Sequence, residues 1–316
     1  MVGGLRKKII AVCRNEVIIV KITAREIADI IKTDNVLGNK DVCVEGLNLC
    51  NRHTGKRSIL SYAINNSYVE HVKNSKSILV MIVSPDIAEV YSNILISKNG
   101  CIIITEEPEK KFYHVHEELC SRGDFYDNYS FKTEIGAGCN IHESVVMYDG
   151  VVVGNNVTIG ALSVIKPGTI IDDNVIIGCN STIGSEGFQL ITIEGGEPMH
   201  ITHVGRTHIC KNVYIGDNTC VANSLFEGET YIGNGTKIDN LVYIAHNTFI
   251  GERVVITAGV ILCGSSVIKN GAWLAPNVSV LNKVTIGENS KIGLGSVVTR
   301  DIPDNSLAYG IPAKVK

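Results

Sequence analysis

The sequence predicts a mainly β fold, a triangular parallel β-helix of hexapeptide repeats preceded by a small α+β domain, on three observations. Every sixth residue from Ile135 to Ile183 is aliphatic or Met: Ile135, Ile141, Met147, Val153, Ile159, Ile165, Ile171, Ile177 and Ile183. The pattern restarts at Ile209 and, after a one-residue slip, runs unbroken from Ile232 to Val298. The position two before the aliphatic residue is small, as at Val157, Ser163, Thr169, Ser181, Thr236, Thr248 and Ala272, and glycine often follows it, as at Gly154, Gly178, Gly233 and Gly251.

A period of six matches neither the 3.6 of a helix nor the 2 of a long strand, so each unit is a short strand and a corner. Three units close a coil of about eighteen residues, with the aliphatic side chain pointing inward. The small residue lets the backbone bend, and the glycine suits a left-handed or closely approached corner. A sandwich of evenly spaced strands would need longer alternating runs and irregular turns.

Residues 1–120 do not follow the period and read as the α+β domain. Thr23 and Glu26 form a capping-box pattern ahead of Ile27, Ile30 and Ile31 on one helical face. Further helices are expected over 67–73, from Pro85 and over 108–119, with strands over 77–83 and 101–105. Residues 121–130, with Gly123, Asp124, Asp127 and Asn128, read as a linker into the helix domain at 131–316. The Gly-rich stretch 184–203 interrupts the repeat and must bulge from one edge, where solenoids often bind ligands.

The 316 residues are 45% apolar with a formal charge of −3, enough for a core and unlike a nucleic-acid binder. No run approaches a membrane span, and Met1 to Lys8 lacks a signal-peptide apolar core, so the cytoplasm is expected. The ten cysteines show no CxxC and read as reduced packing residues.

Stacking at eighteen residues per coil puts His246, Gly264 and Asn282 in one column, with Lys283 beside it. A histidine there can act as general base, and a glycine N–H one coil away can approach an oxyanion unobstructed. Lys283 suits a phosphate or oxyanion, and Asp239, on the preceding face, is placed to orient an imidazole across a corner or a subunit contact. Spacing alone allows equally that His246 is a solvated side chain and Asp239 and Gly264 plain corner residues. In the first domain Tyr62, Asn65 and Tyr68 have the spacing of two rings and an amide that clamp a flat base, though two packed tyrosines at a helix start give the same pattern.

The stretch Lys237-Ile238-Asp239-Asn240-Leu241-Val242-Tyr243-Ile244-Ala245-His246-Asn247-Thr248-Phe249-Ile250-Gly251 resembles the active-site segment of the UDP-3-O-acylglucosamine N-acyltransferase family of lipid A biosynthesis. Gly184-Ser185-Glu186-Gly187-Phe188-Gln189 resembles that family's interrupting loop, and His203-Val204-Gly205-Arg206 its return into the repeat, a likeness extending over nearly the whole chain. The resemblance implies a left-handed β-helix and a homotrimer. It implies His246 as catalytic base assisted by Asp239, the Gly264 amide at the oxyanion, and Tyr62, Asn65 and Tyr68 on the uridine nucleotide. The substrates would be a UDP-linked amino sugar and an acyl thioester, with no permanently bound cofactor, no metal and no nucleic acid.

Two departures bear on the donor. The family's second histidine falls at Lys283, which keeps the positive charge but does not shuttle protons near neutral pH unless its pKa is depressed. The ending Gly310-Ile311-Pro312-Ala313-Lys314-Val315-Lys316 resembles small acetyl-coenzyme A-dependent sugar acetyltransferases rather than the family's helical extension for acyl carrier protein, and Leu294, Gly295 and Val297 stand where methionines would measure a long chain. The donor is thus acyl carrier protein or coenzyme A, with a nucleotide-amino-sugar N-acetyltransferase as the alternative. Two remoter readings are a zinc enzyme like the carbonic anhydrases of similar prisms, from the H-x₄-H pair His203 and His208 with His200 nearby, and a non-catalytic scaffold.

Overall fold

The computed structural model describes residues 20–52, 55–192 and 195–316. The reading of Met1 to Lys8 lies outside these residues. The chain divides into two units, 1–126 and 127–316.

In the first unit, helix α1 (Ala24–Ile31) starts on the expected capping box: Thr23 Oγ1 accepts from Glu26 N–H, and the Glu26 carboxylate accepts from Thr23 N–H. Its Ile27, Ala28 and Ile31 are buried. Helices α2 (Val69–Asn74), α3 (Ala88–Ser97) and α4 (Pro108–Arg122) follow. They accompany a five-stranded sheet ordered Val36–Gly38, Cys101–Ile104, Ile78–Val83, Ile59–Ala63, Gly46–Leu47, antiparallel only at the first strand. The run of Ile78–Val83 is apolar throughout because both faces of a central parallel strand are covered. The strand Ile59–Ala63 was not expected from the sequence; its Ser61 and Tyr62 interrupt the apolar run. Residues 121–126 are not a free linker: Phe125 is buried, and the Tyr126 hydroxyl lies 2.7 Å from Nδ1 of the fully buried His116.

The second unit is a parallel β-helix of three sheets, with eight, ten and eight strands. Its faces are numbered from the strands Glu134–Ile135, Asn140–Ile141 and Val146–Met147. Register is eighteen residues: Val146 pairs with Val164, Ile238 with Ile256 and Leu262 with Val280. The aliphatic positions stack as one buried column set from Val153 to Val298. The first coil is the exception, with Ile135 53% exposed because no coil of this unit lies beyond it.

The small residues also point inward, and at several of them a hydroxyl is used to join coils. Ser163 Oγ donates to Gly178 O (2.7 Å), Ser181 Oγ to Gly216 O (2.9 Å) and Thr236 Oγ1 to Gly251 O (2.9 Å), so each ties one coil to the next. Except at Gly184 (φ 78°), the glycine after the aliphatic residue serves close approach and not left-handed backbone: a Cβ on Gly154 would come within 2.7 Å of Asp173 N, and one on Gly233 within 2.5 Å of Gly251 O. The left-handed residue lies three past the aliphatic one, at Asn156, Asn174, Asn180, Asn212 and Asn218, where asparagine tolerates positive φ. These amides stack, Asn180 Nδ2 donating to Asn218 Oδ1 at 2.7 Å.

Two departures from the eighteen-residue coil occur. Ile171 pairs with Ile209, and around this coil contacts span 38 residues because of a hairpin of Leu190–Thr192 with Pro198–His200. Ile209 pairs with Ile232, in a coil whose contacts span 23 residues, and the extra residues lie around 223–228. What reads as a one-residue slip is thus a five-residue insertion into a six-residue period.

Burial makes the repeat positions unequal. Ile250→Ala, at a fully buried site, should cost about 3 kcal/mol, whereas Ile135→Ala in the end coil should cost under about 1 kcal/mol, read as urea midpoints at constant m.

Candidate functional site

The corner between the third and first faces brings His246, Gly264 and Asn282 into one column. Ser265 N–H donates to His246 O (2.9 Å) and Lys283 N–H to Gly264 O (3.1 Å), which fixes the three coils in step. The half-buried imidazole lies across Gly264 so closely that a Cβ there would sit 2.6 Å from Nε2 and 2.7 Å from Cε1. At some other corners the N–H two past the aliphatic residue is taken by a side chain of the next coil, as Asn155 N–H by Asp173 (2.9 Å) and Glu252 N–H by Asn270 (2.8 Å). Among the described residues no acceptor takes the Gly264 N–H. Asn282 and Lys283 are exposed beside it, Lys283 in the left-handed region at φ 65°.

Both departures from the regular coil reach this corner. The first brings Gly187 against it: a Cβ on Gly187 would lie 3.0 Å from His246 Cβ and 2.5 Å from His203 Nε2. The His203 ring stands edge-on to His246 with centroids 5.2 Å apart, and His200 stacks on His203 at 5.9 Å. The second presents Ser224 and Leu225 to the side chain of Asn247, whose Oδ1 also lies 2.9 Å from His246 Nδ1. Asp239 stands at the preceding corner, exposed, its carboxylate accepting Asn240 N–H (2.8 Å). Within the chain the structure therefore brings Asn247, rather than Asp239, to the imidazole. Sequence reasoning missed Asn247 and Gly187, although the slip in the period at 223–228 was the available signal.

The H-x₄-H pair does not converge. His203 groups with Glu186 and His200, and His208 with Asp172 and Cys210, as two separate clusters whose candidate ligand atoms lie within 4.8 Å of one another. His208 points outward from the first face, 3.5 Å from Asp172 and 3.4 Å from Glu229. Burial opposes its charge, but the two carboxylates outweigh that and raise its pKa to about 9.

In the first unit, Tyr62 is half-buried on the strand Ile59–Ala63. Its ring packs 4.9 Å from that of Phe112 and its hydroxyl donates to Glu109 Oε1 (2.8 Å). Burial raises the Tyr62 phenol strongly, with Tyr113 and Glu109 adding to it, so it stays a neutral donor. Asn65 caps a short helical turn, Oδ1 accepting Ser67 N–H (2.9 Å), which leaves its Nδ2 hydrogens for other partners. Tyr68 lies edge-on to His71 at 6.2 Å. The three residues share one segment, but each ring has its own neighbour, so a two-ring clamp is not preformed.

Two outcomes follow from this geometry. Gly264 does not occupy the left-handed region, so Gly264→Ala strains only against the imidazole. Its cost in a urea melt, about 1–2 kcal/mol, should vanish when His246 is alanine, a coupling that a double-mutant cycle measures. His208, its folded pKa raised, stabilises fully below its unfolded value of about 6.5 and loses that contribution as pH rises through about 9. His208→Gln should accordingly destabilise by about 2 kcal/mol at pH 6 and by much less at pH 10.

The bacterial transferase hexapeptide family (six repeats) matches residues 132–167, 150–185 and 265–300. The chain is 41% identical over 132 residues to a UDP-3-O-acylglucosamine N-acyltransferase of Methylorubrum extorquens (strain PA1), covering 42% of the chain and 37% of the relative. It is 39% identical over 170 residues to the enzyme of that name from Helicobacter pylori, covering 54% and 45%. The chain thus spans less than half the length of these two relatives, and the matches cover about half the chain rather than nearly all of it. A solved UDP-N-acetylglucosamine acyltransferase from Campylobacter jejuni superposes with a TM-score of 0.52 at 21% identity, over 58% of this chain and 69% of that one, which supports the left-handed β-helix fold. By its repeats the chain matches the bacterial transferase hexapeptide family over these segments, and over the aligned segments it is similar to the UDP-3-O-acylglucosamine N-acyltransferases.

Proposed function

We propose that the protein is an N-acyltransferase that moves an acyl group from a thioester to the amine of a UDP-linked amino sugar. The observation that carries this reading is the His246 imidazole lying across Gly264 of the next coil, in a chain whose relatives are named for that reaction. His246 takes the proton of the attacking amine as nitrogen adds to the thioester carbonyl. The Gly264 N–H donates to the tetrahedral oxyanion, whose collapse expels the thiolate. No acyl-enzyme is required. Lys283 offers its cation to a phosphate, and Tyr62, Asn65 and Tyr68 read the uridine end, Asn65 through its amide nitrogen. Asp239 assists His246 only if the imidazole moves or a neighbouring subunit supplies the carboxylate.

A homotrimer belongs to this reading. The outward strand positions of the third face, Val146, Val164, Thr182, Cys220, Tyr243, Ile261, Ser279 and Val297, are all uncharged, and His246 stands at that face's edge. A second copy on this face would wall an otherwise open corner. Among the described residues no helix is long and apolar enough to cross a membrane. The cytoplasm belongs to this reading on other grounds, as the source of acyl carrier protein or coenzyme A thioesters.

The test offers UDP-amino sugars with acetyl-coenzyme A or with acyl carrier protein thioesters and identifies products by mass spectrometry. An acylated UDP-sugar is expected in one arm and defines the donor. His246→Ala should lower turnover on the order of 10²- to 10⁴-fold. Turnover unchanged in that variant would remove the mechanism.

A further inference from the structure

Asn247 follows His246 directly and occupies the left-handed corner at φ 58°, where asparagine is at ease. Its amide is oriented by two groups of the inserted segment. Leu225 N–H donates to Oδ1 at 3.1 Å, which only the carbonyl end of the amide can accept, and Nδ2 donates to the hydroxyl of the fully buried Ser224. The end of the amide that faces the imidazole, 2.9 Å from Nδ1, is therefore an oxygen, which accepts and never donates. Neutral imidazole carries one N–H, so that proton must reside on Nδ1, and Nε2, the nitrogen lying across Gly264, holds the lone pair.

We propose that Asn247 is a positioning residue that selects the Nδ1–H tautomer of His246, and that the five-residue insertion at 223–228 exists in the coil to hold the amide in the orientation that does so. The inference deepens the acyltransferase reading and rests on it for its catalytic consequence, but the tautomer itself is a property of the resting protein. A coil of the regular length would place no Ser224 hydroxyl and no Leu225 N–H at this amide. An amide free to turn would present its NH₂ as readily as its oxygen, and would then favour the opposite tautomer, with the proton on the nitrogen that must receive one.

The experiment reads the tautomer directly by ¹⁵N NMR of histidine-labelled protein, with the His246 signals assigned by their loss in His246→Ala. Above the imidazolium titration the native chain should show protonated Nδ1 and bare Nε2. Asn247→Asp keeps an acceptor toward Nδ1 and should keep the tautomer. Its negative charge should also move the acid limb of the turnover profile upward, by on the order of 1–2 pH units. Asn247→Leu and Ser224→Ala, by removing or releasing the acceptor, should populate Nε2–H and lower kcat on the order of 10²-fold, with KM for the sugar nucleotide within about threefold. Native protein showing Nε2–H overturns the proposal even if Asn247→Leu fails to fold, and so does a Ser224→Ala variant with both tautomer and kcat unchanged. Nδ1–H in a protein that transfers no acyl group in any arm leaves the tautomer inference standing and removes the acyltransferase reading instead.

Discussion

The rest of the structure depends on the backbone hydrogen bonds between successive coils, because they fix the register at eighteen residues. Once Ser265 N–H is committed to His246 O and Lys283 N–H to Gly264 O, a side chain at a corner has only the corners of adjacent coils as neighbours. The inward aliphatic stack enforces this register, since a slip by one residue would turn buried Ile244, Leu262 and Val280 outward and bring Tyr243, Ile261 and Ser279 in. The Ser and Thr hydroxyls bonded to the next coil's carbonyls reinforce the same choice with directional contacts inside an apolar core, where an unmade bond would cost about 1–3 kcal/mol. Precision at the candidate site is therefore inherited from the scaffold.

A strictly regular prism offers only shallow grooves, and the two irregular coils supply what regularity withholds. The longer excursion lays Gly187 and the His203 ring against His246, narrowing one side of the corner. The shorter one buries Leu225 and Phe226, which anchors the segment that reaches Asn247. That both insertions converge on one histidine, of the nine in the chain, is the strongest sign that this corner is used. His208, between Asp172 and Glu229 on the same unit, shows the contrast: the two carboxylates favour its charged form on an outward face, as in a surface ion-pair group.

The repeat was legible because the aliphatic period is long and each buried position reports the same geometry. The column of His246, Gly264 and Lys283 was legible for the same reason, since spacing along the chain converts directly into stacking. Asn247 was not, because its role depends on partners brought by an insertion whose path no periodicity describes. The glycines were misread in part: a glycine after an aliphatic residue signals either positive φ or a crowded backbone, and only geometry separates the two, as Gly154 and Gly233 show. In the first unit, Tyr62 and Tyr68 were placed on one segment correctly, but helix α4 claims the Tyr62 ring through Phe112 and Glu109, a tertiary contact invisible in local sequence.

Lys283 in place of a second histidine then acquires a physical sense. A corner with two imidazoles can divide proton acceptance and proton return between them, whereas an exposed ammonium beside Gly264 contributes charge alone. His246 is the imidazole that lies across Gly264, so in the acyltransferase reading the proton taken from the amine passes first to its Nε2. The tautomer of His246 then decides whether Nε2 can accept it at all. Backbone register, the inserted segment, the asparagine amide and the His246 imidazole thus form one chain of dependence, in which each link constrains the next and the last is where chemistry begins.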